Sequence, residues 1–85
     1  MIEKKIVVCL QYGLQARIAT EFVQKASTFS SGINIIKNGK SVAGKSIMGV
    51  MVLAIRKGDE ITLMAHGNDE KKAIEALEGF LSNKE

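Results

Sequence analysis

The dipeptide Asn38-Gly39 restricts this chain more than any other feature. A two-residue turn between antiparallel strands needs positive φ at its central positions, and Asn-Gly adopts that conformation at least cost. Strand-like runs lie on both sides, Ile33 to Lys37 and Lys40 to Ala43, so a tight hairpin is expected here. A lone hairpin cannot bury its apolar face, and the rest of the chain must cover it.

The flanking sequence supplies the cover. Lys5 to Leu10 reads as a strand, with Ile6, Val8 and Leu10 on one side and Val7 and Cys9 on the other. Gln11-Tyr12-Gly13 breaks it, and Ala16 to Phe29 then reads as an amphipathic helix. Ala19, Phe22, Val23 and Ala26 recur at helical spacing, with Glu21, Gln24 and Lys25 opposite. Ser30-Ser31-Gly32 ends that helix. Past the hairpin, a helix opened by Ser46 runs to about Ile55 before Lys57-Gly58-Asp59 stops it. Glu60 to Ala65 alternates Ile61, Leu63 and Ala65 against Thr62 and Met64, a further strand. Asn68-Asp69-Glu70 caps a last helix with Ala73, Ile74, Leu77, Phe80 and Leu81 on one face. The order strand, helix, strand, strand, helix, strand, helix predicts an α+β sandwich. Its helices lie on one face of a four-stranded antiparallel sheet, in one domain spanning residues 1–85.

Composition narrows the function. The net charge of +3 comes from basic residues spread along the chain, whereas a dedicated nucleic-acid binder clusters them. None of the strand segments carries the aromatics that an RNA-recognition sheet needs. Cys9 is the only cysteine, which excludes an internal disulfide and the paired cysteines of a small metal carrier; it reads as packing. His66, the only histidine, stands at a strand end without a neighbouring carboxylate or cysteine cluster and reads as a surface residue. No apolar run reaches the roughly 18 residues of a membrane span, and the first residues lack a signal-peptide core. A soluble cytoplasmic protein is expected, with no cofactor, metal, direct nucleic-acid or membrane partner.

Gly44-Lys45-Ser46-Ile47-Met48-Gly49-Val50-Met51 carries the functional signal. Serine at an N-cap accepts bonds from first-turn amides, and the partial positive charge there also favours a phosphate. The helix it opens is apolar nearly all round, so some of Ile47, Met48 and Met51 are expected to be exposed together as a contact surface. Gln15 and Arg17 stand at the start of the first helix. A cation is disfavoured there by a few tenths of a kcal/mol or more, so Arg17 is either solvated or part of an anion site.

Gly13-Leu14-Gln15-Ala16-Arg17 and Lys45-Ser46-Ile47-Met48-Gly49, each before a helix, together resemble the two signature regions of the HPr family. These are the small phosphocarriers of the bacterial sugar phosphotransferase system. The resemblance covers the whole chain and implies an open-faced β-sandwich of βαββαβα order. Where the family places its active-site histidine this chain has Gln15, and where it places the following proline this chain has Ile18. Phosphoryl relay needs an imidazole lone pair, and an amide nitrogen has its own delocalised into the carbonyl. Gln15 therefore cannot take up a phosphoryl group as histidine does.

Glutamine there with the serine motif intact is similar to the catabolite-repression branch of the family. That likeness implies phosphorylation of Ser46 by HPr kinase/phosphorylase, and then action as corepressor of the LacI-type regulator CcpA. This chain would catalyse nothing itself. Gln15, Arg17, Lys45, Ile47, Met48 and Met51 would meet the partner. A phosphocarrier-type component and an interaction domain without a serine switch are the alternatives.

Overall fold

The computed structural model describes residues 1–11 and 14–82. Strands β1 (Ile2–Val7), β2 (Gly32–Lys37), β3 (Lys40–Ala43) and β4 (Glu60–His66) form one antiparallel sheet in the order β1-β4-β2-β3. Helices α1 (Ala16–Ala26), α2 (Ile47–Val52) and α3 (Glu70–Ser82) complete the expected order. The β2–β3 hairpin turns at Asn38 (φ 51) and Gly39 (φ 80), and Lys37 pairs with Lys40.

Register decides which residues face the helices. Ile6 opposes Ile61, Ile33 opposes Ala65, and Ile35 opposes Leu63, all buried. Against them pack Ala19, Phe22, Val23 and Ala26 of α1, Val50 of α2, and Ala73, Ile74, Leu77 and Leu81 of α3. Phe22 and Phe80 meet edge to face, with ring centroids 5.9 Å apart. The opposite sheet face carries Glu3, Lys5, Asn34, Ile36, Thr62 and Met64, and no described strand residue there is aromatic.

Several element boundaries differ from the sequence reading, some for tertiary and some for local reasons, and β2 already begins at Gly32. Strand β1 begins at Ile2 and its ladder ends at Val7, because β4 starts at Glu60. Beyond it the Val8 amide donates to Asp59 and the Cys9 amide to Leu81, so Val8 and Leu10 are buried outside the ladder. Helix α1 stops at Ala26, three residues short of Phe29, as Thr28 and Phe29 donate to the carbonyls three residues back. The Thr28 hydroxyl also donates to the Lys25 carbonyl at 2.7 Å. Helix α2 ends at Val52, not Ile55, where Ala54 enters the left-handed region at φ 50. Strand β4 extends one residue further, to His66, which pairs with Gly32.

Asp69 does more than cap α3. Its carbonyl accepts from Ala73, but its carboxylate receives the Ser30 amide (2.9 Å), the Ser31 amide (3.0 Å) and the Ser31 hydroxyl. Those bonds, the Ser31 hydroxyl foremost, lower the Asp69 pKa from 3.8 to about 2. They tie the end of the α1 turn to the start of α3.

Candidate functional site

Ser46 is the N-cap of α2, at φ −109 and ψ 115. Its Oγ accepts the Gly49 amide at 3.1 Å and its carbonyl accepts the Val50 amide at 3.0 Å. The residue is half-buried at the surface. Two glycines allow this placement. A Cβ at Gly44 would lie 2.7 Å from Ile33 Cγ2, so the lead-in can press onto β2 only without a side chain. A Cβ at Gly49 would lie 3.3 Å from both Ser46 Oγ and Val42 Cβ.

The apolar residues that follow stand in solvent. Met48 is 79% exposed, Met51 45% and Ile47 41%, and Val52, at 62%, joins them. Only Val50 of this helix is buried. So short a helix has one residue to give the core, and its other apolar side chains form an outward ridge.

Helices α1 and α2 run antiparallel. Lys45 Nζ donates to the Phe29 carbonyl at 2.8 Å, past the end of α1, while the Leu14 amide donates to Ile55 at 3.0 Å, past the end of α2. Gln15 and Ser46 therefore lie at opposite ends of the pair, with the ridge of α2, about 9 Å long at 1.5 Å per residue, between them. A partner reaching both must lie along the ridge.

Gln15 is exposed and caps α1 through its carbonyl, which accepts Ala19 N at 2.6 Å; its side chain makes no capping bond. The Arg17 side chain is 89% exposed and its Nε lies 3.6 Å from Glu21, an i,i+4 pair that offsets the unfavourable cation at the helix start. Gly13 of the first motif lies outside the described residues.

Sequence reasoning missed Lys37. Its Nζ reaches the carbonyls of Leu53 (3.2 Å) and Ala54 (3.0 Å) and the Asp59 carboxylate (2.8 Å). The Lys37 bond, and next the Arg56 amide, lower the Asp59 pKa. A hairpin lysine next to Asn-Gly looks solvated in sequence; only the fold brings it under α2.

Elsewhere, Cys9 is half-buried with its thiol on the Val7 carbonyl at 3.6 Å, and His66 is exposed. The described residues contain no cluster of three metal-binding side chains among His, Cys, Asp and Glu, and no helix long and apolar enough to cross a membrane.

Residues 2–83 match the family model described as the PTS HPr component phosphorylation site. The chain belongs to the HPr family. Within that family it is 56% identical over 81 residues to the HPr-like protein Crh of Halalkalibacterium halodurans, covering 95% of this chain and 96% of the relative. It is 48% identical to Crh of Bacillus subtilis, covering 95% of each. Among solved structures, the phosphocarrier protein HPr of Bacillus anthracis superposes with a TM-score of 0.92 at 48% identity, covering 94% of this chain and 95% of that one. Crh and phosphocarrier relatives thus share one HPr scaffold with this chain, and side chains on it must separate their chemistry.

Proposed function

We propose that this chain is a regulatory HPr-family protein that relays no phosphoryl group and is switched by phosphorylation of Ser46. HPr kinase/phosphorylase would transfer the phosphate from ATP. The modified protein would then act in the cytoplasm as corepressor of a CcpA-type regulator in carbon catabolite repression. The observation that carries the reading is Gln15 at the exposed N-cap of α1, in the family's histidine position. Two relatives named Crh support it.

The mechanism is recognition. A phosphate on Ser46 adds about −1.5 to −2 charges and three acceptor oxygens at one end of the ridge. The regulator meets those oxygens with Arg or Lys and buries Ile47, Met48 and Met51 as apolar anchors, each worth roughly 1.5–3 kcal/mol if fully buried. Gln15 and Arg17 offer hydrogen bonds at the other end. Lys45, the residue before Ser46, is engaged here with the Phe29 carbonyl and would have to leave it to meet the phosphate.

Mass spectrometry after incubation with the kinase and ATP tests the switch, with one phosphate on Ser46 expected. An unmodified chain favours an interaction domain without a switch. Incubation with phosphoenolpyruvate and the upstream transferase of the sugar system tests the relay, and label on this chain would overturn the Gln15 argument.

A further inference from the structure

Lys37 closes β2 and belongs to neither signature motif, yet its ammonium meets three acceptors in the segment between α2 and β4. A lysine has three donor protons, so these contacts saturate it. The side chain is 18% exposed, against 49% for Lys4 in its surface pair with Glu78.

Six residues of helix do not persist on their own hydrogen bonds, so both ends of α2 need fixing from outside. Ser46 fixes the first end. At the second, α2 has no basic residue in its last turn, and the left-handed position that glycine usually fills is Ala54. Lys37 supplies the missing cation from another element, donating to the last carbonyls. The next carbonyl, Ile55, receives the Leu14 amide beside Gln15.

The geometry points to Lys37 as the positioning residue of the docking surface. Through Leu53 and Ala54 it sets where Met51 and Val52 stand relative to Gln15, with Asp59 holding its ammonium. This inference rests on reading the α2 ridge as the face that partners touch. Modification of Ser46 alters one end of α2 and leaves this other end anchored.

Amide hydrogen exchange and Ser46 phosphorylation kinetics on wild type, Lys37→Met and Lys37→Arg test it. Lys37→Met should speed exchange of the Ala54 and Leu14 amides about tenfold while the β4 ladder is unchanged, and Lys37→Arg should restore protection. With HPr kinase/phosphorylase and ATP, Lys37→Met should raise KM for the protein several-fold at nearly constant kcat, because the acceptor hydroxyl is untouched. Unchanged exchange at Ala54 and Leu14 overturns the inference, and so does loss of protection spread evenly through β4. Faster local exchange with an unaltered KM overturns it too. If the kinase leaves wild type unmodified, the Ser46 reading fails separately, and the exchange pattern still decides whether Lys37 positions the ridge. Should Lys37→Met not fold, Asp59→Asn leaves the ammonium its two carbonyls and should show the same pattern at smaller amplitude.

Discussion

The Ser46 hydroxyl accepts the Gly49 amide at 3.1 Å, and a Cβ on Gly49 would stand 3.3 Å from that same oxygen. The residue proposed to carry the switch is thus also a structural cap, and its two roles need separating. Ser46→Ala should lose about 1 kcal/mol, lowering Tm by roughly 4–8 °C in a domain of this size. Ser46→Asp keeps a good N-cap and should melt near wild type. Thermal unfolding of the two variants checks this, and a Ser46→Ala protein that melts with wild type would show that the hydroxyl contributes no cap energy.

Exposure and binding should come apart at Met48. At 79% exposure it contributes little to the core, so Met48→Ala should stay within about 0.5 kcal/mol of wild-type stability. The same variant should weaken regulator binding by about 2 kcal/mol, near thirtyfold, if Met48 is a central anchor. Denaturant titration and calorimetry on one preparation measure both.

Gln15→His restores a ring nitrogen at an exposed N-cap without disturbing the Ala19 bond, which uses the main-chain carbonyl. Wild type should take no label from phosphoenolpyruvate through the upstream transferase, and Gln15→His should take some. Ile18 keeps the variant from being a full reconstruction of the family motif.

Much of this was legible before any coordinates. The two-residue alternation of β4 and the helical spacing of α1 report which side faces the core, and Asn38-Gly39 fixes the hairpin. The exposure of Ile47, Met48 and Met51 followed from a helix too apolar for one buried side. Where α1 and α2 stop was less legible: α1 closes through turns three residues back at Thr28 and Phe29, while the end of α2 is held by partners distant in sequence. Lys37 reaches the end of α2 from β2, and Lys45 reaches Phe29 across the helix pair. Asp69 reads as a helix cap because the donors that a carboxylate will meet are anonymous in sequence; its main donors lie in the Ser30-Ser31 turn.

That turn should make stability depend on acid. Asp69 is lowered to about 2 in the fold from an ordinary 3.8, so its contribution is complete only above about pH 5 and is lost progressively as pH falls through 2. Glu70, lowered by the Gly67 amide and the chain's amino terminus, and Asp59, lowered by Lys37, act in the same direction. Denaturation midpoints between pH 5 and 2 should fall more steeply for wild type than for Asp69→Asn. Parallel curves would mean that the carboxylate gains nothing from the turn.

The affinity of a CcpA-type regulator for this chain, before and after phosphorylation of Ser46, bears most directly on the whole account. Charge-assisted bonds of about 1.5–3 kcal/mol predict binding ten- to a hundredfold tighter for the phosphorylated form, and no gain for Ser46→Ala treated in the same way. Equal affinity for the modified and unmodified chains would contradict it.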